Sequence, residues 1–254
     1  MRFLIQKINK EIRHDFSFTL LESIRYHKWL QGEDADVVVK YINCLANDNV
    51  WFFKPFHEHY VPVGSVEFVL SWMKRFNVPV PKPVNVPEEL FDFAGRTIWN
   101  GDENSYHKGY GQLFVKSNDN IKGFKEVIDN TYQLPKGNYQ FSEVIEIESE
   151  WRAFVYKNKL VGLQNYGGVF SMYPNIEQIL WMIHAYKSAP IAYTLDVGVR
   201  PIVEVDASTY NKTFVIECHD FFSCGLYGFA DHKIYPYMLY RWFHEYLNKN
   251  KNGK

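Results

Sequence analysis

The sequence has few cysteines and no excess charge of either sign. It contains three cysteines, Cys44, Cys218 and Cys224, among 254 residues. An odd, low count is typical of a reducing compartment in which thiols stay free. Basic and acidic side chains number 28 and 29. A nucleic-acid-binding protein usually carries a basic excess, so we do not expect nucleic acid as a partner.

Long apolar runs are also absent from the sequence. No segment approaches the roughly 20 apolar residues of a membrane-spanning helix, and residues 1–7 contain no apolar stretch of signal-peptide length. We therefore expect a soluble, cytoplasmic protein without a membrane partner. Hydrophobic residues still make up 46% of the chain, which is enough for a substantial core.

Several common catalytic patterns are missing as well. The sequence has no G-x-x-x-x-G-K-[ST] phosphate-binding loop and no G-x-S-x-G nucleophile elbow. Cys218, His219 and Cys224 do not predict a zinc site, because strand alternation puts Cys218 opposite His219 and no C-x-x-C spacing occurs.

The N-terminal part of the chain is predicted to alternate strands and helices. Apolar spacing predicts a helix over residues 16–30. Ser65 is a suitable N-cap for a second helix over residues 66–76. The strand candidates are residues 3–5, 37–39 and 50–53.

Four prolines between Val78 and Pro87 predict an extended connector, since proline has no N–H to donate to a sheet. We place a domain boundary there. The expected organisation is a small α/β domain over residues 1–87, a main domain over 88–247 and a flexible polar tail over 248–254.

The main domain is predicted to mix strands with helices in an α+β or α/β fold. The polar stretch over residues 100–112 predicts a mobile loop. The predicted strands are residues 113–116, 140–147, 151–156, 160–166, 193–199 and 213–219. The predicted helices are residues 123–130, 176–188 and 237–247.

Charged residues interrupt several of these strands. Lys116 ends one of them, and an ammonium held there suits phosphate oxygens, although a solvated lysine is the simpler interpretation of Lys116 alone. Glu150 and Arg152 share one face of the strand over 151–156, where they predict either a paired polar site or a surface ion pair of little energetic value.

Acidic residues fall on two later strands. Asp196 lies within one apolar strand, and Glu217 and His219 share a face of the next. Carboxylates on adjacent strands repel each other unless a cation lies between them, and hard oxygen ligands suit Mg²⁺. Isolated carboxylates at strand ends are the simpler interpretation.

The order of these pieces resembles that of the ATP-grasp ligases: a strand-end lysine, two glutamates seven residues apart, an aspartate strand, and an E-x-H-D run before a glycine turn. A closer resemblance is to the clade of bacterial and phage ATP-grasp proteins named for one arginine and two lysines. It is carried by residues 61–68, 150–152 and 220–228, and by Lys116 with Lys122. The resemblance implies the ATP-grasp fold, in which two antiparallel-sheet lobes sandwich ATP, preceded by a small α/β N-terminal domain.

The resemblance also implies roles for individual residues, with ATP and Mg²⁺ as cofactors. The implied nucleotide-binding residues are Lys116 and Lys122 at the phosphates, Glu143, Val144 and Ile145 beside the adenine, and Glu150 at the ribose. The implied metal ligands are Asp196, Glu217 and His219 or Asp220, with Glu204 and Asp206 as an alternative pair. The arginines that would stabilise the transferring group are Arg152, Arg200 or Arg96.

The implied activity is ATP-dependent formation of an amide bond, through an acyl phosphate, between a carboxylate and an amine carried by small molecules or peptides. Two alternatives stay open: a phosphotransferase on the same fold, and a catalytically silent nucleotide-binding module that uses the aromatic residues between 51 and 60. The sequence specifies neither the acid, nor the amine, nor the oligomeric state.

Overall fold

The computed structural model describes residues 1–32, 37–44, 52–106, 109, 111–203 and 209–251. The chain forms two compact units. The first comprises Met1–Val80, Pro190–Ala192 and Asp220–Lys254, and the second comprises Pro81–Ala189 and Tyr193–His219. The end of the chain therefore groups with the N-terminal residues, whereas the sequence analysis assigned residues 220–247 to the main domain.

The first unit contains a parallel sheet of three strands in the order β2-β1-β3: β1 is Arg2–Lys7, β2 is Val38–Asn43 and β3 is Val61–Val63. Phe3, Leu4 and Ile5 of the central strand are completely buried, as expected for a parallel strand that is covered on both faces.

The described residues of the first unit form three α-helices: α1 is Asp15–Gln31, α2 is Val66–Arg75 and, near the end of the chain, α4 is Tyr235–Lys251. The predicted cap of α2 is confirmed, since the Ser65 hydroxyl accepts a hydrogen bond from the Phe68 amide at 3.2 Å. Helix α4 continues four residues into the expected polar tail, to Lys251.

The strand predicted over residues 50–53 is wrong in its described part. Phe52 and Phe53 are not in a strand, and residues 50–51 lie outside the described residues. Phe53 is instead buried, with its ring 5.4 Å from that of Phe68. Its apolar character reflects packing against a helix rather than strand pairing.

The second unit contains two sheets of four strands. The first sheet is antiparallel and has the order β4-β7-β5-β6. Its strands are β4 (Ile98–Asp102), β5 (Gln112–Ser117), β6 (Lys125–Asp129) and β7 (Asn138–Glu143). The second sheet has the order β11-β10-β8-β9. Its strands are β8 (Ser149–Tyr156), β9 (Lys159–Gly168), β10 (Ala192–Val203) and β11 (Thr209–Asp220).

Helix α3, Ile176–Ala185, belongs to the core of the second sheet. Its buried residues Ile179, Met182 and Ile183 lie in one apolar cluster with Trp151 of β8 and Leu195 of β10. The predicted helix is thus confirmed, although it ends three residues early. No helix in the described part of the chain is long and apolar enough to span a bilayer.

Three predictions in the second unit need correction. The helix over residues 123–130 is wrong, because residues 125–129 form β6, in which only Ile128 is buried. The loop over residues 100–112 is wrong at its start, since Asn100 to Asp102 belong to β4. The strand over residues 140–147 ends at Glu143, where the chain leaves one sheet for the other.

Candidate functional site

A cluster of potential metal ligands lies on two neighbouring strands of the second sheet. Asp196 of β10 and Glu217 and His219 of β11 each offer one ligand atom, and these atoms lie within 4.8 Å of one another. The His219 Nε2 atom is 2.9 Å from Glu217 Oε1 and 3.8 Å from Asp196 Oδ2. Strand alternation puts Glu217 and His219 on one face, and β10 brings Asp196 beside them.

Arg152 of β8 holds the carboxylate of Asp196 in a bidentate pair. Its Nε donates to Oδ1 at 2.8 Å and its Nη2 donates to Oδ2 at 2.7 Å. The two side chains are only 8% and 1% exposed. The bidentate partner of this arginine is therefore Asp196, whereas the sequence suggested Glu150. The Asp196 carboxylate comes from the adjacent strand, and the pair is buried.

Lys116 of β5 reaches the same cluster from the first sheet of the unit. Its ammonium forms an ion pair with the Glu217 carboxylate, and both side chains are largely buried. Burial and the positive charge of Lys125 lower the pKa of Lys116 to about 7. The strand-end lysine thus faces the acids of the opposite sheet.

The cluster leaves His219 uncharged at neutral pH. Desolvation, together with the cations Arg152 and Lys116, lowers its pKa to about 4, although the carboxylate of Asp196 acts in the opposite direction. A neutral imidazole has a free lone pair and is therefore able to bind a metal.

Sequence reasoning missed a second lysine near the cluster. Lys125 of β6 is the cross-strand partner of Lys116, and the two ammonium groups lie 5.9 and 6.0 Å from the ring centre of Phe114. The false helix over residues 123–130 hid this pairing. Lys122, the predicted second phosphate contact, lies in the turn before β6 with a positive φ of 57° and an exposed side chain.

The predicted adenine-side residues lie where the chain passes between the sheets. Glu143 ends β7, and its carboxylate accepts a 2.7 Å hydrogen bond from the Thr97 amide, which lowers the Glu143 pKa. Val144 is 49% exposed, and Ile145 follows it in an irregular segment before β8. Glu150 lies in β8, and its carboxylate adds to burial and Asp196 in raising the pKa of the Tyr166 phenol.

Arg96 is engaged with the protein backbone. It donates to the Ser142 hydroxyl at 2.8 Å and to three carbonyl oxygens, of Ala94, Val215 and Ile216. Since Ser142 lies in β7 and the last two carbonyls lie in β11, this guanidinium connects both sheets of the unit. Burial lowers its pKa to about 10.

Arg200 of β10 lies beside Phe214, with its guanidinium carbon 5.8 Å from the ring centre. Its Nη2 donates to the Gly95 carbonyl at 3.4 Å. Of the three predicted arginines, Arg152 is the one that pairs with an acid of the cluster.

The remaining predicted metal ligands, Asp220, Glu204 and Asp206, are not placed in the cluster of Asp196, Glu217 and His219. Asp220 accepts a 3.0 Å hydrogen bond from the Trp242 indole within the first unit. Glu204 and Asp206 lie outside the described residues. The acids that the structure brings together in the second unit are Asp196 and Glu217.

The Gln140 side chain, also missed from the sequence, and the backbone of β11 hold an extended segment near the cluster. The Gln140 side chain pairs with both backbone groups of Val86, accepting from its amide at 3.0 Å and donating to its carbonyl at 2.8 Å. The preceding Asn85 carbonyl accepts from the Cys218 amide of β11 at 2.7 Å. Asn85, Val86 and Gln140 line a small pocket together with Lys116 and Glu217.

Known proteins resemble this chain in sequence family and in fold. A family model described as "ATP-grasp domain, R2K clade family 2" matches residues 93–236. No curated protein matches the sequence significantly. Among solved structures, the D-alanine–D-alanine ligase from Bacillus anthracis, complexed with ATP, superposes with a TM-score of 0.50 and 10% identity over 100% of both chains.

A second similar structure is the ATP-grasp ligase PsnB complexed with a minimal precursor, with a TM-score of 0.47 and 9% identity over 95% of this chain and 100% of that one. Identities this low carry information about the fold alone. Together with the family match, the Bacillus anthracis structure confirms the fold predicted from the sequence.

Proposed function

Because the chain belongs to the ATP-grasp domain family, R2K clade family 2, we propose that it is an ATP-dependent ligase that joins a carboxylate to an amine. One observation carries the proposal: Asp196, Glu217 and His219 gather their ligand atoms within 4.8 Å, with the cations Lys116 and Arg152 paired to the two acids. Such a group of acids and cations suits a nucleotide whose phosphates carry a divalent metal.

The two acids of the cluster fit Mg²⁺. Carboxylate oxygens are its preferred protein ligands, and it usually binds through one or two carboxylates together with substrate phosphates and water. Arg152 fixes Asp196 while each carboxylate oxygen retains a lone pair. When bound, Mg²⁺ would neutralise the charge of the phosphate oxygens. Its ligands would be Asp196, Glu217 and the neutral His219.

The nucleotide contacts follow the resemblance to the family. Lys116 would exchange its partner Glu217 for phosphate oxygens, and Lys122 would approach them from its turn. The adenine would lie beside Glu143, Val144 and Ile145. The Glu150 carboxylate would accept hydrogen bonds from the ribose hydroxyls.

The proposed reaction has two steps. A substrate carboxylate oxygen attacks the γ-phosphorus of ATP, and the bond from this phosphorus to the β-phosphate oxygen breaks. ADP departs, and the substrate becomes an acyl phosphate. The amine nitrogen then attacks the carbonyl carbon, loses a proton, and phosphate departs as the amide forms. Positioning and charge neutralisation supply most of the acceleration in such transfers. Arg152 is our first candidate for stabilising the transferring phosphoryl group, and Arg200 and Arg96 are the next candidates.

The direct test is to incubate the protein with Mg²⁺, ATP and pairs of amino acids or dipeptides, and to follow products by mass spectrometry. We expect ADP, phosphate and a product whose mass is the sum of the two substrate masses minus one water. None of these should form with Glu217→Gln. A phosphorylated acceptor without an amide would identify a phosphotransferase. Nucleotide binding without ATP consumption for any pair would contradict ligase activity. We also propose a cytoplasmic location, where ATP is supplied.

A further inference from the structure

A β-bulge in the second sheet places one tyrosine against the candidate site. Along the β8–β9 pair, Glu150 is opposite Gly167 and Trp151 is opposite Asn165, so the register shifts by one residue. Tyr166 is the extra residue, and it shares the position opposite Glu150 with a glycine that has no side chain. Bulges of this kind redirect side chains and are frequent beside active sites.

The backbone around the bulge is tightly fixed. The Asn165 side-chain amide contacts the carbonyls of Glu150 and Gly167 at 3.1 and 3.0 Å, which lie on the two sides of the bulge. Gly168 has a φ of 72°, and a Cβ atom there would lie 2.0 Å from the Glu148 carbonyl oxygen. Only glycine fits at this position.

Tyr166 lies beside two parts of the site. It precedes Gly167, where a Cβ atom would lie 3.6 Å from the Cβ of Glu150, and its ring centre lies 5.7 Å from the guanidinium carbon of Arg152. Arg152 in turn holds Asp196. Burial and the carboxylates of Asp196 and Glu150 raise the Tyr166 pKa far above its ordinary value, so the phenol stays protonated and can only donate to them.

We propose that Tyr166 is a positioning residue: it orients the Glu150 carboxylate toward the ribose hydroxyls of the nucleotide and ties this carboxylate to the Arg152–Asp196 pair. The inference rests on the proposed function, in which Glu150 contacts the ribose and Asp196 the metal. A hydrogen bond from the Tyr166 phenol to one carboxylate oxygen of Glu150 would leave the second oxygen to accept from the sugar.

The test uses Tyr166→Phe, which removes the hydroxyl and keeps the ring. Binding of ATP and of 2′,3′-dideoxy-ATP, both with Mg²⁺, is measured by calorimetry. We expect the wild-type protein to prefer ATP by about tenfold or more, as for hydrogen bonds to a charged group. Tyr166→Phe should weaken ATP binding several-fold and leave dideoxy-ATP binding unchanged, because only ATP offers ribose hydroxyls to Glu150.

Two further variants separate positioning from general support of the fold. Tyr193→Phe removes another phenol of the same sheet, whose buried hydroxyl has no partner among the described residues, and it should alter neither affinity. In a Glu150→Gln background, Tyr166→Phe should have little additional effect on ATP binding, since the two residues act through one contact.

The outcomes are distinct. An equal loss of affinity for both nucleotides in Tyr166→Phe, or no loss at all, would overturn the positioning role while the proposed function stands. If the wild-type protein binds ATP and dideoxy-ATP equally, both the ribose contact of Glu150 and the positioning role of Tyr166 are contradicted. A wild-type protein that binds neither nucleotide would overturn the proposed function itself.

Discussion

At the scale of single residues, the candidate site consists of charges that already neutralise one another. Lys116 pairs with Glu217, and Arg152 pairs with Asp196. Strand alternation in the sequence predicted the common face of Glu217 and His219. It did not predict which cation meets which acid, because those contacts join different strands, and a one-dimensional pattern contains no information on strand order.

Lys116→Ala should weaken binding of Mg²⁺–ATP by about tenfold or more, because it removes a charge-assisted contact to the phosphates. Calorimetry against ATP with Mg²⁺ measures the change. The exposed lysine Lys159, at the start of β9, provides the control: Lys159→Ala should bind like the wild-type protein. Unchanged affinity in Lys116→Ala would end the assignment of this lysine to the phosphates.

The Arg152–Asp196 pair gives a prediction about stability. Arg152→Met leaves a buried carboxylate without its partner, so we expect a loss of about 3–5 kcal/mol in the free energy of unfolding, measured in urea. The double change Arg152→Met with Asp196→Leu should cost less than the sum of the single changes.

The control for this prediction is Arg13, whose pair with Glu11 is 2.7 Å long but about half or more exposed on both sides. Arg13→Met should change stability by at most about 1 kcal/mol. A cost in Arg152→Met as small as that of Arg13→Met would show that the buried pair contributes little.

At the scale of elements, the sequence predicted most strands and helices, and its errors have physical causes. Residues 123–130 were predicted as a helix, whereas β6 pairs with β5 along one edge of its sheet. An edge strand buries few side chains, so the alternation of apolar and polar residues in its sequence is weak. Ile128 is buried, whereas the equally apolar Val127 is 50% exposed. The bulge at Tyr166 has no signature in residue spacing, although the Gly-Gly pair after it was a usable signal.

Gly168→Ala should strongly destabilise the β8–β9 pair, because the added Cβ would lie 2.0 Å from the Glu148 carbonyl oxygen. Gly32 is the matched control: its φ is also positive, at 80°, but nothing lies within 4 Å of a Cβ there. We expect Gly32→Ala to cost about 1 kcal/mol from backbone strain alone and Gly168→Ala to cost clearly more in thermal unfolding. Equal costs would mean that the backbone adapts around residue 168.

At the scale of the whole molecule, the family match extends over residues 93–236, and the sequence alone predicted the fold class through the order of its motifs. The grouping of α4 with the N-terminal unit was beyond such reasoning. Helix α4 follows the main domain directly in the chain, and neighbouring segments were assumed to fold together. Its contacts with α1 and β3 are long-range contacts that only a three-dimensional structure reveals.

Ligand binding should stabilise the folded protein by mass action. At Mg²⁺–ATP concentrations about 100 times the dissociation constant, the expected gain is about 2.7 kcal/mol, visible as a higher melting temperature. Glu217→Gln should lose most of this gain at the same concentrations. A rise in melting temperature that is identical in Glu217→Gln would argue that this acid takes no part in binding.

The Lys116–Glu217 contact also restricts what the candidate site of the second unit accepts. A phosphate compound without a metal that bound Lys116 would leave the Glu217 carboxylate without its partner. A cation alone that bound Glu217 would leave the Lys116 ammonium without its partner. A ligand that brings both charges at once relieves each partner in the same event. Under the proposed function, this single contact makes the protein selective for the assembled metal–nucleotide complex over either component alone.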